Sequence, residues 1–126
     1  MDRKVISTKK APGAIGPYSQ GIKIANLVYT SGQIPVNAAT GEIPKGIEAQ
    51  ARQSLENVKA VLEAGGSCMK NAVKLLIFIK DMNDFVKVNE VYSQFFTENY
   101  PARSCVEAAR LPKDVLIEIE AIGIVE

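Results

Sequence analysis

The side chain best suited to chemistry in this chain is Arg103, in the stretch Pro101-Ala102-Arg103-Ser104-Cys105-Val106-Glu107. A guanidinium can grip a planar carboxylate with two parallel hydrogen bonds. The residues around it are small or apolar, which is poor company for an ordinary solvated arginine. Two plainer roles stay open. Arg103 could form a structural ion pair with Glu118 or Glu120, or snorkel from a sheet edge. Those carboxylates stand in Val115-Leu116-Ile117-Glu118-Ile119-Glu120-Ala121-Ile122 and share one face of a strand by its period of two. Glu120 reads most simply as an ion-pair partner. Cys105 raises the question of a thiol nucleophile. The chain holds no histidine, which removes His-based triads, His-ligated metals and His acid–base pairs together. Any general base must be Asp, Glu, Lys, Tyr or Cys. With no imidazole to deprotonate it, Cys105 suits a packing or backbone role better.

The elements that must carry these groups follow from periodicity. Pro101 ends whatever helix precedes it and opens a strand in which Arg103, Cys105 and Glu107 face one side and Ser104, Val106 and Ala108 the other. Upstream, Val5 to Thr8 reads as a first strand. A loop from Lys9 to Pro17 follows, and then a hairpin: Gly21 to Ala25, a turn at Asn26, and Leu27 to Gly32. Gly32 allows either a close approach of the backbone to a ligand or a bulge. A loop from Ile34 to Lys45 leads to Gly46 and a helix with Ile47, Ala51, Leu55, Val58 and Leu62 on one face, stopped by Gly65-Gly66. The unbroken apolar run Leu75 to Ile79 predicts a central strand covered on both faces. Asn83 is the expected cap of a second helix that buries Phe85, Val88, Tyr92, Phe95 and Phe96.

The resulting order is strand, strand, strand, helix, strand, helix, strand, strand. Its simplest packing is an α+β two-layer sandwich, one mixed six-stranded sheet with both helices on one face. The other face would then carry Leu116, Glu118, Glu120, Ile122 and Ile124 of the last strand. Three of these are too apolar for open water, so an oligomer with sheets facing inward is expected.

At 126 residues the chain reads as one domain, 1–126, long enough for a real core. A composition 47% hydrophobic and 23% charged excludes disordered and collagen-like classes. A net charge of +1 gives no electrostatic footprint for nucleic acid. The opening Met1-Asp2-Arg3-Lys4-Val5 has no apolar signal core and no run is long enough to span a bilayer, so a cytosolic protein is expected. Cys68 and Cys105 have neither a zinc nor a CxxC spacing. Reduced thiols and no tight metal site are the expectation.

Several blocks carry a resemblance: Ala14-Ile15-Gly16-Pro17-Tyr18-Ser19-Gln20-Gly21, Ser31-Gly32-Gln33-Ile34-Pro35, and Gln50-Ala51-Arg52-Gln53-Ser54-Leu55-Glu56-Asn57-Val58. Lys80-Asp81-Met82-Asn83-Asp84-Phe85, the Pro101 to Glu107 stretch, and Leu111-Pro112-Lys113-Asp114-Val115 running on to Glu120 complete it. Over essentially its whole length the chain resembles the reactive-intermediate deaminase family (Rid, also called YjgF), and within it the RidA subgroup. The resemblance implies a chorismate-mutase-like fold, a homotrimer with sites in the clefts between subunits, and no cofactor or metal. The implied activity is hydrolysis of 2-aminoacrylate and 2-iminobutanoate, released by PLP-dependent dehydratases, to 2-oxoacids and ammonia. It also implies that Arg103 binds the substrate carboxylate and that Glu118 positions and activates water. Tyr18, Ser31, Gly32, Asn89 and Cys105 match positions that line the pocket. Cys68 belongs to no family motif, and the short Asn99-Tyr100 link implies a different pocket rim. Two other roles compete: translation inhibitor or ribonuclease, which the resemblance also carries, and a non-catalytic 2-oxoacid-binding or holdase-like protein, for which Arg103 alone would suffice. The charge and the missing histidines and stacking platform stand against the nucleic-acid role.

Overall fold

The computed structural model describes residues 2–126; Met1 lies outside them. The elements are β1 (Arg3–Ile6), β2 (Gly21–Ile24), β3 (Leu27–Thr30), α1 (Ile47–Ala64), β4 (Ala72–Ile79), α2 (Phe85–Phe95), β5 (Ala102–Glu107) and β6 (Ile117–Ile124). They form one sheet in the order β1-β2-β3-β6-β4-β5. All neighbours are antiparallel except β4 and β5, which the helix α2 joins as a parallel crossover. The expected α+β architecture, one mixed six-stranded sheet with two helices, is what the chain adopts.

Boundaries moved where turn chemistry decided them. The hairpin turn is Ala25-Asn26 rather than Asn26 alone, with Ala25 at φ 51°. Asn83 does not cap the second helix. Asp81 accepts a hydrogen bond from Asn83 N, and a one-turn 3-10 segment (Met82–Asp84) leads into α2. The carboxylate two residues earlier reaches that free N–H, which leaves Asn83 inside the turn. α1 ends as its glycines predict, with Gly66 at φ 91°.

The core lies between the sheet and the helices. Ile47, Ala51, Leu55, Val58, Val61 and Leu62 of α1 are buried against Leu75, Ile77 and Ile79 of β4 and Ile117, Ile119 and Ala121 of β6. Each large aliphatic side chain so buried contributes roughly 1.5–3 kcal/mol. The charged side of α1 (Glu48, Arg52, Glu56, Lys59, Glu63) is exposed as its periodicity predicts.

β4 is not covered on both faces within the chain. Leu75, Ile77 and Ile79 are fully buried, whereas Leu76 and Phe78 are only half-buried. They lie on the face away from the helices, with Tyr29, Val106, Ile122 and Ile124. Strand period places each of them there. Leu116, expected on this face, precedes the strand and packs against the core instead. This open face is the apolar one expected from the last strand.

Candidate functional site

Arg103 sits on β5, the edge strand, paired with Leu75 of β4. Leu75 is a core residue, so Arg103 points to the helix side of the sheet. There its Nη1 donates to Asn89 Oδ1 of α2 at 2.7 Å. Its guanidinium carbon lies over the Tyr92 ring, 4.7 Å from the centroid, and over the Phe85 ring at 5.5 Å. Residues 85, 89 and 92 follow one another at steps of four and three, so one face of α2 supplies all three contacts. Neither Glu118 nor Glu120 pairs with Arg103. Among the described residues the one ion pair is Arg110–Asp114 at 2.7 Å, on the surface. The ion-pair readings of Arg103 and of Glu120 are thereby corrected. The reason is geometric: Glu118 pairs across the strands with Phe78, on the opposite face of the sheet.

Cys105 lies two residues on, half-buried, facing the same side as Arg103 and packed against the core. Burial pushes its thiol up, and the charge of Arg103 pulls it only partly back. A neutral thiol is the form this setting favours.

On the other face, Glu118 is half-buried and accepts no hydrogen bond from any described residue. Burial pushes its carboxyl above the usual range, and the neighbouring charge of Glu120 pushes it further. Gly32 makes the room for it. A Cβ on Gly32 would fall on Glu118 Oε2. The register explains the approach. Tyr29 pairs with Ile122, whereas Gln33 bridges Ile119, so four steps along one strand answer three along the other. The extra residue is a bulge, and Thr30 Oγ1 accepts from Ala121 N within it. The bulge reading of Gly32 is thus realised, and the group its backbone approaches closely is the Glu118 side chain.

The loop before β2 is knitted to this bulge. Ser31 Oγ donates to Ser19 O, and Ser31 N to Gln20 O. Gln20, 4% exposed, donates through Nε2 to Thr8 O, Ala11 O and Pro12 O and accepts from Thr8 N. Tyr18, 52% exposed, stands on this loop. With Ile15, Gln20, Gly32, Gln33 and Lys113 it lines a cleft of about 260 Å³. Tyr18, Ser31, Gly32 and Glu118 therefore belong to one neighbourhood, and Arg103, Asn89 and Cys105 to another. One chain does not bring the two together.

Sequence reasoning missed Phe85 and Tyr92 as contacts of Arg103, since apolar residues on a buried face read as core. Asn89, a polar residue within that apolar stripe, was the available signal. It also missed Gln20, Gln50 and Asn57, which hold the loops. Asn57 Nδ2 donates to Ile34 O and Val36 O. Gln50 donates to Pro44 O and accepts from Leu116 N at the entry to β6.

The chain is similar to known proteins over nearly its whole length. The family model described as Endoribonuclease L-PSP matches residues 8–125. A 2-iminobutanoate/2-iminopropanoate deaminase of Escherichia coli is 60% identical over 124 residues, covering 96% of this chain and 97% of that protein. The crystal structure of the Escherichia coli YjgF gene product superposes with a TM-score of 0.95 at 57% identity, covering 98% of this chain and 99% of the other. That of Escherichia coli TdcF with bound serine gives 0.94 at 56%, with the same coverage. A match over nearly the whole length, in sequence and in fold alike, makes this chain a member of the Endoribonuclease L-PSP family, also called YjgF or Rid.

Proposed function

We propose that the chain is an enamine/imine deaminase acting on 2-iminobutanoate and 2-aminoacrylate, the latter through its imine tautomer. The observation that carries this is the half-buried, carboxylate-free guanidinium of Arg103. It supplements the 60% identity to a 2-iminobutanoate/2-iminopropanoate deaminase. Asn89 uses one of the five guanidinium N–H groups, and four remain for a ligand. The one fixed feature of such substrates is an α-carboxylate, which takes two of them.

In the proposed reaction Glu118 removes a proton from water while the oxygen attacks the C=N carbon. Glu118 returns that proton to nitrogen, giving a tetrahedral amino alcohol; its hydroxyl proton then passes through Glu118 to the nitrogen as the C–N bond breaks and the C=O bond forms. Water supplies the ketone oxygen, and ammonia leaves. A carboxyl held above its usual range suits a group that must both take and give a proton. Tyr18, Ser31 and Gly32 would shape the water side, and Asn89 and Cys105 the carboxylate side.

Arg103 and Glu118 act on one substrate only if different copies supply them, and the proposal therefore includes a homotrimer with sites between subunits. The half-buried apolar face supports it. Both cysteines are free thiols, which fits a cytosolic setting, and no helix among the described residues is long and apolar enough to cross a membrane. The nuclease named in the family description finds no support in a chain of net charge +1 without histidine.

The test couples the purified chain to a threonine dehydratase and follows 2-oxobutanoate. The chain is expected to speed conversion of the released imine well beyond the buffer rate, and Glu118→Gln is not. Conversion at the buffer rate with wild-type protein would overturn the proposal.

A further inference from the structure

We infer that Phe85 and Tyr92 are positioning residues for Arg103, fixing the plane of its guanidinium so that a ligand carboxylate meets it along its edge. The inference rests on the proposed role of Arg103 as the carboxylate-binding group.

A free arginine side chain turns about several bonds, and a bidentate grip needs one plane. The hydrogen bond to Asn89 Oδ1 fixes one nitrogen. It leaves the group free to rotate about that contact. The Tyr92 and Phe85 rings, at 4.7 Å and 5.5 Å from the guanidinium carbon, remove that freedom. Their π faces attract the cation and repel an anion. A carboxylate is therefore turned away from the guanidinium faces that the rings cover and directed to the in-plane N–H groups. Helical spacing makes the device: Phe85, Asn89 and Tyr92 lie on one face of α2, which joins the strand before Arg103 to the strand that carries it.

The Tyr92 hydroxyl takes no part. It is buried, on a residue 7% exposed, and has no hydrogen-bond partner among the described residues. The contact Tyr92 makes with Arg103 is through the ring, and the hydrogen bond recorded for the guanidinium goes to Asn89. The ring is what Arg103 uses, so phenylalanine is an adequate replacement and leucine is not. A purely structural role predicts otherwise, since leucine fills a core at modest cost and would leave ligand affinity alone.

The experiment measures the Kd of 2-oxobutanoate by calorimetry, KM and kcat in the dehydratase-coupled assay, and thermal melting. It uses the full chain and its Arg103→Ala, Tyr92→Leu, Tyr92→Phe and Phe85→Leu variants. Tyr92→Leu and Phe85→Leu should each raise Kd and KM about tenfold while kcat stays within about twofold. Tyr92→Phe should bring Kd back to within about threefold of wild type. If both leucine variants bind like wild type while Arg103→Ala has lost binding, the positioning role is overturned and the role of Arg103 stands. If Arg103→Ala itself binds like wild type, the reading beneath this inference fails. If Tyr92→Phe is as weak as Tyr92→Leu, the hydroxyl and not the ring is at work, and the inference is wrong. Should Tyr92→Leu fail to fold, Phe85→Leu, at a half-buried position, decides alone.

Discussion

Glu118 has a carboxyl pushed up mainly by burial and secondarily by Glu120. Two consequences have opposite signs. In its proposed role as a base it must be ionised, so kcat should fall with acidification at a pH above the ordinary carboxylate range. Glu120→Gln removes the like charge, eases ionisation and should move that limb to lower pH; a pH–kcat profile checks it. For stability, a raised carboxyl binds more protons in the folded state than in the unfolded one. Its contribution is complete below the unfolded value and is lost as pH rises through the folded one. Glu118→Gln should therefore melt higher than wild type at neutral pH, with the difference shrinking toward acid, while turnover drops about 10²-fold or more. Gly32→Ala tests the same group from the other side. Its Cβ would displace the Glu118 carboxylate, and an ångström of displacement can cost on the order of 10²-fold in rate. Wild-type turnover in Gly32→Ala would show that the close approach is not needed. Of these relations the sequence held only part. That Glu118 and Glu120 share a face follows from period two; that Gly32 abuts Glu118 depends on a bulge between strands far apart in the chain, which no local pattern announces.

Helices and core strands were legible because their apolar residues recur at fixed steps. Every apolar position expected on α1 is buried. What escaped was polar. Gln50, Ser54 and Asn57 are buried on the same helix, yet by type they count as surface. The partners of Gln50 and Asn57 are backbone groups of loops, and sequence spacing cannot point to a carbonyl. Asn57 fastens the loop after β3 through two carbonyls, Ile34 O and Val36 O. Asn57→Ala leaves both without that donor, so urea unfolding should show a loss of roughly 1–3 kcal/mol. A loss below about 0.5 kcal/mol would mean water replaces the amide at no cost.

At the scale of the whole molecule, the apolar face of the sheet and the divided site lead to the same proposal. Light scattering should give about three times the chain mass of 13.6 kDa. Ile122→Glu, which sets a charge among Tyr29, Lys74 and Ile22, should dissociate the assembly and abolish turnover while each chain stays folded. A monomer with full activity would refute the shared site. That face was foreseeable from alternation in β6. The division of Arg103 from Glu118 was not, because it depends on which side of the sheet the crossover helix covers. The division also has a genetic reading. Two alleles, Arg103→Ala and Glu118→Gln, are each inactive alone, but each retains the half that the other lacks. Unfolded together and refolded as a mixture, they should complement. With equal amounts and random assembly, about a quarter of the interfaces would pair an intact Arg103 with an intact Glu118.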